Sequence, residues 1–166
     1  MSFRSVLVAV DGSRHSDMAL AHAIELARDG NARLTILTAT PPPPGVSLTG
    51  PGAVAAAEAA ARMDRDFDEI LRAAADRVPD DLPVTTVHAS GPPAQAILNE
   101  TERGDHDLIV MGSRGLGFAR ALMGSVSHRV LRHAPAAVLI VHAEDEPDAG
   151  APDASDQEVL GASVSR

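Results

Sequence analysis

The sequence predicts one α/β domain built on a doubly wound parallel sheet, with helices on both of its faces. Three observations predict it. Apolar strand runs alternate with helical stretches throughout the first 142 of the 166 residues. Two of those runs, Val6-Leu7-Val8-Ala9-Val10 and Leu108-Ile109-Val110-Met111, are nearly unbroken, as in strands covered on both faces. The connections are short with one exception, which favours parallel strands joined by crossover helices. The chain length suits a single domain with a real core.

The first strand, residues 5–10, is broken by Asp11-Gly12-Ser13, where Ser13 or Ser16 can cap the next helix. That helix carries Ala19, Leu20, Ala23, Ile24 and Ala27 on one face and is expected to stop at Gly30. Residues 33–39 are the second strand. Residues 40–52 form a loop with four consecutive prolines at 41–44, which rule out helix, and it is long for a connection in a compact domain, and so expected to be mobile, functional or both. A long Ala-rich helix follows over residues 54–77, with Phe67, Ile70, Leu71, Ala74 and Val78 as its buried stripe. The third strand is 83–89, and Ser90-Gly91-Pro92-Pro93 turns into a helix over 94–103. Residues 107–111 are the fourth strand. After a glycine-rich segment come a short helix over 126–133, closed by Pro135, and a fifth strand, Ala137–Val141. The domain is therefore expected to span residues 1–143. Residues 144–166, rich in Asp, Ala, Gly, Pro and Ser, form an acidic tail expected to be disordered.

Composition narrows the function. There is no cysteine, which excludes disulfides, thiol chemistry and Cys-based zinc sites. Aromatic residues are 2%, with no Trp or Tyr, so the stacking platforms of single-stranded nucleic-acid binders are missing. The net charge is −9, and the tail alone carries Glu144, Asp145, Glu146, Asp148, Asp153, Asp156 and Glu158 against Arg166. That balance argues against a nucleic-acid partner. No apolar run approaches the ~18–20 residues of a membrane span, and the N-terminus lacks the pattern of a signal peptide. A cytoplasmic protein with no membrane partner is the expectation.

The chemistry-bearing stretch is Met111-Gly112-Ser113-Arg114-Gly115-Leu116-Gly117-Phe118-Ala119-Arg120-Ala121-Leu122-Met123-Gly124-Ser125-Val126-Ser127. It leaves a buried strand and ends on a helix start. Gly112 and Gly115 let backbone approach a ligand with no Cβ in the way. Gly124-Ser125-Val126-Ser127 places amide donors and two hydroxyls at a helix N-terminus, where the dipole favours an anion, and Arg114 can add a guanidinium. On the residues alone two readings stay open: a phosphate cradle, or a structural turn with Ser125 as an ordinary cap. The segment lacks the Gly-Lys-Ser/Thr end of a Walker loop, and it follows the fourth strand, where a dinucleotide fingerprint follows the first. Asp11, at a strand's C-terminal end, reads either as a turn former or as a ligand contact. The seven histidines show no metal-ligand spacing, and Asp64, Asp66 and Asp68 read as solvated helix acids. No nucleophile elbow or paired cleft carboxylates suggest a dedicated catalytic residue.

Met-Gly-Ser-Arg-Gly at 111–115, Gly-Ser-Val-Ser at 124–127 and Ala-Pro-Ala-Ala-Val-Leu-Ile-Val at 134–141 together resemble the C-terminal half of universal stress proteins. Val-Leu-Val-Ala-Val-Asp-Gly-Ser at 6–13 is similar to their first strand and loop, and Gly91-Pro92-Pro93-Ala94-Gln95-Ala96-Ile97-Leu98 to their turn into the third helix. The resemblance spans residues 3–142 in order and implies a five-stranded sheet of order 3-2-1-4-5. It further implies the family's ATP-binding branch, whose motif is Gly-x-x-Gly-x9-Gly-Ser/Thr; here eight residues, not nine, separate Gly115 from Gly124. Carried over by residue, Asp11 with the backbone of Ala9 and Ala39 would lie by adenine and ribose. Met111, Gly112 and Gly115 would meet ribose and phosphates, and Gly124, Ser125, Val126 and Ser127 would hold the β- and γ-phosphates. The implied function is an ATP- and Mg2+-binding stress regulator whose nucleotide state tunes unknown protein partners, with at most slow hydrolysis or autophosphorylation. A homodimer through the strand at 136–142 is implied as well. The alternative is a nucleotide-free scaffold of the same fold. An adenine-nucleotide α-hydrolase is disfavoured, because no Ser-Gly-Gly-x-Asp follows the first strand.

Overall fold

The computed structural model describes residues 3–42, 52–115 and 123–143. The prolines at 43 and 44, the middle of the glycine-rich segment at 116–122 and the tail at 144–166 lie outside the described residues. The elements run β1 (Ser5–Ala9), α1 (Arg14–Gly30), β2 (Arg33–Thr40), α2 (Ala53–Ala75), β3 (Val84–Ser90), α3 (Pro93–Arg103), β4 (Leu108–Gly112), α4 (Ser125–His133) and β5 (Ala137–Val141). The five strands form one sheet in the order β3-β2-β1-β4-β5, every pair parallel, as the resemblance implies.

Strand β1 lies in the middle, and its alternate residues feed two cores. Val6, Val8 and Val10, with Leu34, Ile36, Leu108 and Val110, pack against Ala19, Leu20, Ala23 and Ala27 of α1 and Leu71 and Ala74 of α2. Leu7, Leu37, Ile109 and Met111 pack against Ala94, Ile97 and Leu98 of α3 and Val130 of α4. Burial on both faces is why these strands read as continuous apolar runs. The small alanines of α1 bring that helix close to the sheet.

Ser13 is the N-cap of α1, its hydroxyl accepting the Ser16 N–H at 3.2 Å. The helix stops at Gly30 as expected, and the residue after it closes the end. Gly30 is the last helical residue, and Asn31 takes the left-handed conformation (φ 49°) while the Ala32 N–H closes on the Ala27 carbonyl at 2.8 Å. Asn tolerates that conformation well enough to end a helix. In α2, Leu71 and Ala74 are buried and Phe67 and Ile70 half-buried, whereas Val78 lies past the helix end. Among the described residues no helix is long and apolar enough to cross a membrane.

The end of the sheet opposite the glycine-rich segment holds a buried imidazole. His106 Nδ1 is 2.8 Å from Ser5 Oγ, while Nε2 has no hydrogen-bond partner among the described residues and lies 4.0 Å from Glu100 Oε1. Burial holds the His106 pKa below its ordinary value; Glu100 opposes this and Arg33 reinforces it. Below about pH 6.5 the unfolded chain therefore binds more protons at this histidine than the folded one does. Stability is fully present above that pH and is lost as pH falls toward the folded-state value. The melting temperature should fall between about pH 7 and pH 5, and less steeply in His106→Gln; equal slopes would remove His106 as a cause.

Candidate functional site

A cavity of about 360 Å³ opens above the C-terminal ends of β1, β2 and β4. The chain leaves β1 toward β2 on one side, and β4 returns on the other. This is the switch point where ligands of open α/β sheets bind. Ala9 and Asp11 line it from β1, Ala39 from β2, and Met111, Gly112, Arg114 and Gly115 from β4 and the turn after it. Gly124, Ser125, Val126 and Ser127 line it from the start of α4. The residues singled out by sequence thus come together on one cavity. Sequence reasoning missed Val10, Leu37, Pro41, Phe67, Pro93 and Ile97, which complete its wall. Val10 follows Ala9, Leu37 shares a face of β2 with Ala39, Pro41 opens the proline run, and Pro93 and Ile97 belong to the Gly-Pro-Pro turn and the helix after it, so a signal existed for those five. Phe67 had none.

Asp11 does two things at once. Its Oδ1 accepts the Ser13 N–H at 3.0 Å, closing the turn into α1, and its carboxylate also borders the cavity. Gly12 within this turn has φ 80°, and a Cβ there would come 3.1 Å from Ile70 Cδ1. A Cβ on Gly115 would fall on Asp11 Oδ2, so these two residues share one space.

Gly112 corrects the expectation that its missing Cβ serves a ligand. A Cβ there would lie 2.7 Å from His15 Cβ and 2.8 Å from the His15 backbone carbon, at the start of α1. The glycine lets β4 and α1 pack; its backbone still borders the cavity.

The turn into α4 also differs in detail. Gly124, not Ser125, is the N-cap (φ −74°), and it supplies no side-chain cap. The amides of Ser125, Val126 and Ser127 begin the helix, where no carbonyl one turn earlier can accept from them. Ser127 is buried, and its hydroxyl lies 2.9 Å from Ser113 O and 3.0 Å from Gly124 O, turned into the protein. The Gly124 N–H donates to the same Ser113 carbonyl at 2.7 Å. The two ends of the glycine-rich segment are therefore tied together, although one residue fewer than the family's usual nine runs between Gly115 and Gly124.

Two of the acids read as solvated are engaged. Asp68 Oδ1 is 2.7 Å from His88 Nδ1, and Asp64 Oδ1 is 3.3 Å from His88 Nε2. Their sequence positions hid this because His88 is delivered by β3. Among the described residues no group of three or more His, Cys, Asp or Glu side chains could hold a metal ion.

A family model described as the universal stress protein family matches residues 2–142. The universal stress protein YxiE of Bacillus subtilis is 34% identical over 146 residues, covering 84% of this chain and 99% of its own length. A universal stress protein of Thermus aquaticus is 36% identical, covering 84% of this chain and 98% of its own length. Among solved structures, a universal stress protein in complex with cAMP superposes with a TM-score of 0.62 at 31% identity, covering 86% of this chain and 99% of that one. With its 3-2-1-4-5 sheet and its match along nearly the whole described length, the chain belongs to the universal stress protein family.

Proposed function

We propose that this protein binds ATP in the cavity at the β1/β4 switch point, and that nucleotide occupancy tunes its contacts with protein partners in the cytoplasm. The observation that carries the reading is the convergence of Ala9, Asp11, Ala39, Met111, Gly112, Arg114, Gly115 and 124–127 on one cavity. Its wall divides chemically. Leu37, Ala39, Pro41, Pro93, Ile97 and Met111 offer an apolar slot suited to a base, with Asp11 placed for ribose hydroxyls. The first amides of α4 and the Arg114 guanidinium suit an anion, and the helix dipole reinforces that end. The donors fit a phosphate chain. Mg2+ would arrive on the phosphates, because a small hard cation usually keeps its waters and phosphate oxygens. The 31%-identical relative solved with cAMP supports an adenine nucleotide as the ligand class. Chemistry beyond binding is proposed to be slow hydrolysis or autophosphorylation at most.

The domain, residues 1–143, is proposed to pair with a second copy. Strand β5 is a sheet edge, and Leu139 on it and Leu131 on α4 are large apolar residues left exposed. Such an edge is normally covered.

Titration calorimetry of the full chain with Mg-ATP, AMP and cAMP tests the reading, with ATP expected to bind. No heat from any of the three at about millimolar ligand, where even weak sites give −4 kcal/mol, would leave the nucleotide-free scaffold as the function. Sedimentation of the same sample should give twice the chain mass; a monomer would remove the β5 pairing.

A further inference from the structure

The helix α2 is lightly attached along its first half. Gly52 gives it no side-chain cap, and its only buried residues, Leu71 and Ala74, lie in its last two turns. Yet this helix supplies Phe67, the one aromatic side chain among the described residues that line the cavity. Going in from the N-terminus, the first polar side chains anchored to the sheet are Asp64 and Asp68. They share a helical face one turn apart, and Phe67 lies between them in sequence.

Both reach His88 on the edge strand β3. His88 Nδ1 is 2.7 Å from Asp68 Oδ1, and Nε2 is 2.7 Å from Thr40 Oγ1 and 3.3 Å from Asp64 Oδ1. The Thr40 hydroxyl in turn donates to Asp64 Oδ1 at 3.1 Å. The ring is 18% exposed, the two carboxylates about half. Thr40 ends β2, and its neighbour Pro41 lines the cavity. A carboxylate accepts only, so Nδ1 must donate to Asp68, while the Thr40 hydroxyl stands between Nε2 and Asp64. The ring thus ties both aspartates of α2 to β3 and, through Thr40, to the end of β2.

We propose that His88 is a positioning residue for the cavity: by bridging Asp68, Thr40 and Asp64 it clasps α2 to the ends of β2 and β3 and thereby sets Phe67 as a wall against the bound base. Loss of the imidazole releases both aspartates, loosens the first half of α2 and weakens ligand binding. Among the described residues the charged groups facing His88 are Asp64 and Asp68, both from α2, and from β2 it meets the neutral Thr40 hydroxyl. The effect on ligand rests on the nucleotide reading above, whereas the clasp does not.

Two measurements on the full chain, wild type against His88→Gln, separate these. In amide hydrogen exchange at one pH, residues 53–70 should be less protected in His88→Gln than in the wild type. His106 is present in both proteins, so its contribution cancels. In calorimetry the Kd for Mg-ATP should be about threefold to fivefold higher in His88→Gln, as expected for contacts to half-exposed carboxylates. Phe67→Ala should also bind more weakly, and adding His88→Gln to it should cost little more, because the wall that His88 sets is already gone. Identical exchange profiles in wild type and His88→Gln would overturn the clasp. Lost protection with an unchanged Kd would overturn the positioning role. Lost protection in His88→Gln with no ATP heat from the wild type would keep the clasp and remove the nucleotide reading.

Discussion

Gly112→Ala is expected to lower folding stability by about 2–3 kcal/mol, and Gly124→Ala by no more than about 0.5 kcal/mol. Both glycines belong to the same motif and border the same cavity, but their surroundings differ. At Gly112 the added methyl meets the start of α1 at 2.7 Å from His15 Cβ, 2.8 Å from the His15 backbone carbon and 3.0 Å from the Ser16 nitrogen. These atoms cannot swing aside as a flexible side chain would, because Ser13 caps the helix there and the buried Ser16 hydroxyl bonds the Ser13 carbonyl at 2.9 Å. Either α1 or β4 must move, and both carry core residues. At Gly124 the backbone is already in a conformation that alanine adopts, and the nearest atoms are 3.5 Å away or more. Urea unfolding with an unchanged m-value reads the difference directly. Equal midpoints for the two variants would show that Gly112 is not needed for packing. A loss of ligand binding in Gly112→Ala therefore carries little information about phosphate contacts.

Much of this molecule was legible in its sequence for one reason. Strands buried on both faces leave unbroken apolar runs, and helices packed on them leave periodic ones. β1, β4 and the buried face of α1 follow directly, and the site followed because its residues lie at strand ends that those runs mark. What stayed hidden depends on which neighbour each residue meets. A sequence shows that Gly112 lacks a Cβ but not that α1, far along the chain, occupies the space. It shows Asp64 and Asp68 four apart on a helix, a spacing shared by many solvated acids, while their partner His88 arrives by sheet pairing. Phe67 reads as core because its spacing fits the stripe, and only the crossing of α2 over β2 turns it toward the cavity. Helix α4 begins at Ser125, one residue before the expected start, since either Gly or Ser can cap a helix.

Asp11 and Gly115 should behave as one unit in ligand binding. Gly115 is exposed and its backbone needs no special conformation, so Gly115→Ala should leave stability nearly intact. Its methyl would fall on Asp11 Oδ2 and displace a side chain. If Asp11 holds ribose hydroxyls as proposed, losing that charged hydrogen bond should weaken Mg-ATP by about tenfold, near 1.4 kcal/mol. Asp11→Ala should cost a similar factor, plus some stability from the lost bond to the Ser13 N–H. Asp11→Asn, which keeps an oxygen for that bond, separates the turn from the charge. The double variant Asp11→Ala/Gly115→Ala should then bind about as weakly as either single one, because the second change removes what the first has already disabled. A hundredfold loss in the double variant would mean that Gly115 acts on its own, by letting its backbone approach the phosphates. Calorimetry on the four proteins of this cycle decides between a glycine that makes room for a carboxylate and one that makes room for the ligand.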